Sequence, residues 1–377
     1  MHPEPAVLAR KLLFVTGKGG VGKTTISAGL ALLASTHGKR TLVCEMDAKG
    51  DLASCFESGP TRFEEREVAP GLFAMSMDPE ASLRQYLSLQ LRLPRAAGIG
   101  PMARMFDFVA SAAPGVREIV SVGKLCWEVR ERHYDMVVVD AAASGHIIGQ
   151  LAAPQAINQL VQVGLVRQQT DWMLEILSDP EVSGVLAVAT PEEMPVTETI
   201  ELAERLKEET TVSLAAVIVN RVLPELFVTR EEQAFDALRQ PAATELLAAQ
   251  LGGRPEPLLD AARLMVRTRR SRASHLERLR AALGEHGGRH AGAHAGTHTG
   301  TQGSLEGGPH SNAPGGGERG APMLYVPYLF LRSSGLRSTR QIASALAAEL
   351  EAGLEPGQEA DLEPGQEAGL EPGQEAG

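Results

Sequence analysis

Apolar residues along this chain gather in short continuous runs separated by longer segments of helical period. Leu12–Val15, Arg40–Glu45, residues 72–77, Met136–Asp140, Gly184–Thr190, Val212–Asn220 and the start of Met323–Leu331 each read as a strand. Their apolar character is continuous rather than alternating, which marks strands buried on both faces. Between the first two runs, Ile26, Leu30 and Leu33 share one helical face and Gly38 supplies a stop. Further helices are predicted over 79–92, 99–112, 114–130, Val196–Lys207, several segments up to residue 283, and Leu336–Glu351, with Pro94, Gly98 and Gly100 separating the first two of these. Strands alternating with helices predict an α/β fold: a doubly wound, mostly parallel sheet with helices on both faces.

Two stretches break this pattern. Residues 284–321 are rich in glycine and place His286, His290, His294 and His298 at four-residue intervals. Such a composition does not pack a core and predicts a flexible insert. Imidazoles suit zinc or nickel, but this spacing aligns ligands only in a helix, which the glycines oppose. After a last strand and helix at 322–351, the unit Gly-Leu-Glu-Pro-Gly-Gln-Glu-Ala stands at 353–360, is nearly repeated at 361–368 and returns at 369–376. Residues 352–377 therefore read as an acidic, disordered tail.

Charge and cysteine content narrow the partners. Of the formal charge of -11, seven acidic residues without a basic one lie in 353–377, leaving -4 for the rest of the 377 residues. This overall field argues against nucleic acid as a partner. Cys44, Cys55 and Cys126 form no C-x-x-C pair and suggest reduced thiols. No signal-like segment or membrane-length apolar run is apparent, so a cytoplasmic location is expected.

The chemistry concentrates after the first strand. Gly17-Lys18-Gly19-Gly20-Val21-Gly22-Lys23-Thr24 matches G-x-x-x-x-G-K-[ST] between a strand and a helix, the setting a phosphate-binding loop requires. Glycines let backbone N–H groups turn toward phosphates, and the helix N-terminus that begins near Thr25 adds positive potential. Lys23 reaches the terminal phosphates and the Thr24 hydroxyl can hold magnesium. Asp47 and Asp140 leave the carboxyl ends of two strands, where ligands of open parallel sheets sit.

Lys18, a second cation directly after the first glycine, makes this loop resemble the deviant K-G-G-V-G-K-T loop. That loop belongs to dimeric ATPases that include the arsenite-pump ATPase, the targeting factor for tail-anchored membrane proteins, the nitrogenase iron protein, and the partition and septum-positioning ATPases. The resemblance implies that Lys18 reaches across a dimer interface to the partner's nucleotide. Further segments favour the arsenite-pump and tail-anchored-targeting branch. Asp47-Ala-Lys-Gly-Asp-Leu-Ala-Ser-Cys-Phe56 resembles the first switch, D-P-A-H-N-L-S-D-A-F, and places Asp47 where a carboxylate orients the attacking water. Ala48 and Gly50 replace the family's Pro and His. Asp140-Ala-Ala-Ala-Ser-Gly-His146 resembles the second switch, D-T-A-P-T-G-H, with Ala141 and Ala143 in place of Thr and Pro. It implies that Asp140 holds magnesium through water and that Gly145 and His146 sense the γ-phosphate.

The segments at 113–118, Thr190–Glu198 and Val217–Pro224 are similar to the family's A-P-G-I-x-E, T-P-E-x-x-x-x-x-E and V-V-x-N-x-x-x-P, the last implying that Asn220 hydrogen-bonds adenine. On this reading residues 1–283 form the main part of a P-loop ATPase domain and 322–351 complete it. The cofactors implied are ATP and Mg2+. The implied partner is a second copy or a paralogue, with a membrane-protein client or membrane transport partner. Helical segments at 79–131 and 150–180 occupy the client region, where Met102, Met105, Phe106 and Phe108 offer soft apolar side chains. The alternatives are a partition or septum-positioning ATPase, which would carry a basic or membrane-binding surface, and a nucleotide-dependent regulator that does not hydrolyse.

Overall fold

The computed structural model describes residues 5–47, 50–90, 115–161, 163–224, 229–238, 240–284, 321–330 and 335–352. After a short helix α1 (Ala6–Ala9), the elements run β1 (Leu12–Gly17), α2 (Lys23–Thr36), β2 (Thr41–Glu45), α3 (Asp51–Cys55), β3 (Arg66–Ala69), β4 (Leu72–Ser76), α4 (Pro79–Gln90), α5 (Val116–Arg130) and β5 (Met136–Asp140). The chain continues with α6 (Ser144–Leu160), α7 (Leu165–Ser178), β6 (Ser183–Ala189), α8 (Glu193–Glu209), β7 (Leu214–Val222), α9 (Thr229–Leu238), α10 (Pro241–Leu251), α11 (Glu256–Gly284), β8 (Met323–Pro327) and α12 (Leu336–Ala352). Among the described residues the strands form one eight-stranded sheet in the order β3-β4-β2-β5-β1-β6-β7-β8. All neighbours are parallel except β3 with β4. This is the α/β, mostly parallel, doubly wound sheet expected.

Burial explains why the strands were easy to find. Every residue of β1, β2, β5 and β6 is buried, because helices cover both sheet faces. On one face α2 and α12 pack Ile26, Leu30, Leu33, Ile342 and Leu346 against β1, β2 and β7. On the other, α5, α6 and α8 bring Leu125, Cys126, Ile148, Leu151 and Leu202 onto Phe14, Val137 and Val139. Each such large apolar side chain contributes about 1.5–3 kcal/mol relative to leaving it exposed.

Several expectations are adjusted. The helix expected over Val196–Lys207 begins at Glu193. Pro195 lies in its first turn, where an N–H has no intrahelical partner and its absence is tolerated. The expected 150–180 segment is two helices, α6 and α7, and α5 in the supposed client region is a core helix, with Val122, Leu125 and Cys126 fully buried. The antiparallel edge strand β3 was not anticipated, since its Arg-Glu-Val-Ala sequence is half polar and its first two residues are exposed. The helix expected over 99–112, the four apolar residues named within it, the histidine tract and the 353–377 repeats lie outside the described residues. Among the described residues, no helix is long and apolar enough to cross a membrane.

Candidate functional site

The carboxyl ends of β2, β5 and β1, side by side in the sheet, bring the three sequence motifs together. Gly17 closes β1 with φ +148°, and a Cβ there would lie 2.2 Å from the Val188 carbonyl oxygen of β6. Gly22 precedes α2 with φ +96°, and a Cβ there would lie 2.5 Å from the Asn220 amide nitrogen. Both positions therefore demand glycine. At Gly19 and Gly20 a Cβ would meet no atom within 4 Å, so the outer side of the loop has room for a ligand. The N-cap residue of α2 is Gly22, which has no side chain with which to cap the helix. The partial positive charge of a helix N-terminus favours an anion at this end of α2. Ligand phosphates thus fit the loop formed here.

Thr24 and Asp140 meet across 116 residues of chain: the Thr24 hydroxyl donates to Asp140 Oδ2 at 2.6 Å, and Ser27 Oγ reaches Asp140 Oδ1 at 3.4 Å. A hydroxyl and a carboxylate at this spacing are the hard oxygen donors that Mg2+ takes, directly or through water, alongside substrate phosphates. Burial raises the Asp140 carboxyl to about 6; the Thr24 hydrogen bond and the nearby Lys23 cation oppose this, and the charge of Glu45 adds to it.

This shift has a consequence for the ligand-free fold. A carboxyl whose folded pKa lies above its unfolded value of 3.8 favours folding below that value and loses the contribution as pH rises through about 6. Asp140→Asn is therefore expected to unfold at higher denaturant than the ligand-free wild type at pH 7.5, by on the order of 2–3 kcal/mol, with the gap shrinking at pH 4.5. An equal gap at both pH values in urea titrations would refute this.

Around these residues the two segments that resemble the family's switches are held by contacts not anticipated from sequence. Glu45, buried at the end of β2 and in register with Asp140, accepts the N–H groups of Gly50 at 3.2 Å and Asp51 at 3.1 Å. Ser76 Oγ also donates to it at 3.3 Å. Glu45 thus pins the far end of the loop that starts at Asp47, which is exposed, while Ala48 and Lys49 lie outside the described residues. Thr16 at the end of β1 donates to the Ala142 carbonyl at 2.7 Å and fixes the backbone just after Asp140. Gly145 and His146 follow in the exposed first turn of α6. Neither Glu45 nor Thr16 belongs to a short motif. The only signal available was their place at strand ends.

Asn220 sits behind the loop. Its amide donates to the Val21 carbonyl at 2.8 Å, and its oxygen accepts the Arg221 N–H at 2.9 Å. It therefore braces Val21 and Gly22 from β7. Lys18 forms an ion pair with Glu198 of α8, whose other oxygen accepts the Ser144 hydroxyl at 3.2 Å. The three cysteines are free and buried, and burial pushes the Cys55 thiol up to about 11 and those of Cys44 and Cys126 higher still. Among the described residues, no group of three or more His, Cys, Asp or Glu side chains is placed to hold a metal by itself.

The family model described as anion-transporting ATPase matches residues 10–173 and 165–242, a span containing the loop, both switch segments and Asn220. The chain belongs to the anion-transporting ATPase family. Its relatives include ATPase BagA of Mycobacterium tuberculosis, 31% identical over 225 residues, covering 57% of this chain and 66% of that protein. A putative arsenical pump-driving ATPase of Aquifex aeolicus is 29% identical over 248 residues, covering 57% and 81%. ATPase GET3 of Podospora anserina is 31% identical over 152 residues, covering 40% and 44%. The match thus spans just under two thirds of the mycobacterial relative. Family membership agrees with the resemblance drawn from Lys18 and the switch segments, and with the parallel sheet on which they stand.

Proposed function

We propose that this anion-transporting ATPase family member binds Mg-ATP at the Gly17–Thr24 loop and hydrolyses it as a dimeric switch, its nucleotide state being read by a client or a membrane transport partner. The observation that carries the reading is the contact of Thr24 with Asp140, which joins the phosphate loop to the second switch at the end of the sheet. Lys23 and the α2 N-terminus would hold the β- and γ-phosphates, and Asn220 would stand beside the adenine. Thr24, and Asp140 through water, would hold Mg2+, which when bound supplies positive charge to the phosphate oxygens. Asp47 would accept a hydrogen bond from the attacking water. The water oxygen bonds to the γ-phosphorus as the bond to the β–γ bridging oxygen breaks, giving ADP and inorganic phosphate. Gly145 and His146, exposed at the start of α6, would report the loss of the γ-phosphate.

The partner would be a second copy or a paralogue, and free buried cysteines suit the cytoplasm. The division into an ATPase domain of residues 1–283 and 322–351, an insert and a tail is part of the same proposal. Client contact is proposed at the cavity of about 410 Å³ between α4, α5 and α7, lined by Tyr86, Trp127, Trp172 and Met173. Leu160 and Val163, more than four-fifths exposed, lie at the nearby α6–α7 turn.

The test is Asp47→Asn. It is expected to bind ATP as the wild type does and to turn over about 10²–10⁴-fold more slowly, because an amide is a poor acceptor for an orienting hydrogen bond from water. Loss of binding together with turnover would mark Asp47 as structural and remove its catalytic role.

A further inference from the structure

Sheet order explains why Lys18, Ser144 and Glu198 meet. Lys18 leaves the carboxyl end of β1, and β1 lies between β5 and β6. Ser144 begins the helix that follows β5, and Glu198 stands in the helix that follows β6. The carboxylate of Glu198 lies between the other two, with one oxygen on the Lys18 ammonium and the other 3.2 Å from the Ser144 hydroxyl. Lys18 and Glu198 are each about 30% exposed, so water can compete for the pair. Nothing in the phosphate chemistry of one subunit requires this arrangement, which holds the Lys18 cation within its own subunit.

We propose that Glu198 is a positioning residue for Lys18: in the single subunit it retains the lysine, and through Ser144 it ties release of that lysine to movement of the second switch. The proposal rests on the dimeric reading above, in which Lys18 serves the partner's nucleotide. For Lys18 to cross the interface its bond to Glu198 must break. A γ-phosphate that draws the start of α6 toward itself removes Ser144 from Glu198 at the same time, loosening the carboxylate that holds Lys18. A partly exposed ion pair is weak enough for such a device, with a strength corresponding to about three- to five-fold in an equilibrium. A symmetric dimer breaks two pairs, so the effect on association is about ten- to twenty-five-fold.

Two measurements test it. In the ligand-free protein, Glu198→Gln is expected to raise the rate at which a water-soluble acylating reagent modifies Lys18 several-fold, read by mass spectrometry against the other lysines. An unchanged rate would overturn the retention of Lys18. With a non-hydrolysable ATP analogue and Mg2+, sedimentation should show Glu198→Gln dimerising at about ten- to twenty-five-fold lower protein concentration than the wild type, and Ser144→Ala shifting the same way by less. In a Lys18→Ala background, Glu198→Gln should have no effect on association, which a merely structural role would not predict. An equal shift with and without Lys18, or no shift, would overturn the positioning role. If acylation rises while the wild type stays monomeric at every concentration, the latch within the subunit stands and the dimeric reading fails.

Discussion

Lys23→Ala is expected to abolish measurable ATP binding while leaving the protein folded. Lys23 is the first residue of α2, at the point where the loop turns into the helix, and its charge is felt by Asp140, whose carboxyl it favours in the ionised form. On the proposed function a cation here would make charge-assisted hydrogen bonds to the β- and γ-phosphates, each worth about 1.5–3 kcal/mol when the partners are otherwise desolvated. Loss of two such bonds weakens affinity by about 10²–10⁴-fold. Alanine suits a helix at least as well as lysine, and the side chain is not part of the buried core, so the fold should persist. Titration calorimetry with Mg-ATP checks the prediction. Unchanged affinity would separate the loop from nucleotide binding altogether.

What could be read in the sequence divides along physical lines. Strands buried on both faces, such as Met136–Asp140, leave a continuous apolar run with nothing to disguise it. The loop glycines are equally legible, because Gly17 and Gly22 answer to backbone geometry and to atoms a side chain would strike. The edge strand β3 was not legible: it ends the sheet, and its first two residues are polar and exposed, which reads as loop. Contacts between side chains far apart in sequence were also hidden. Glu198 lies 180 residues from Lys18, and Thr24 lies 116 residues from Asp140. The second pair could be anticipated because the motif's Thr24 and the strand-end Asp140 are both expected to serve one magnesium ion. The first could not, since nothing in the chemistry of a phosphate loop requires a carboxylate facing its extra lysine. Asn220 shows a further limit. Its residue type suited adenine, but only the fold shows that its amide also braces Val21.

The largest effect on turnover is expected from Lys18. Its place directly after Gly17 puts a second ammonium beside the phosphate loop, where Lys23 is proposed to serve the subunit's own nucleotide, and Glu198 holds it within reach of solvent. In a closed dimer it would approach the partner's phosphates and offset charge developing in the transition state, as a trans-acting arginine does, with an effect of about 10³-fold or more. Lys18→Ala should bind Mg-ATP normally, hydrolyse it at least about 10³-fold more slowly, and lose the rise of rate per subunit with protein concentration.

The central claim of a dimer that shares its catalytic lysines is tested most directly by mixing the two inactive variants. A dimer of Lys18→Ala with Lys23→Ala contains one subunit that binds ATP but lacks Lys18, facing a partner that cannot bind ATP but still carries an intact Lys18. Random pairing of equal amounts makes roughly a quarter of all subunits active sites of this kind. Steady-state ATPase assays of the mixture should therefore recover roughly a quarter of the wild-type rate per subunit, where each variant alone is nearly inactive. No recovery, with mixed dimers shown to be present, would contradict action in trans.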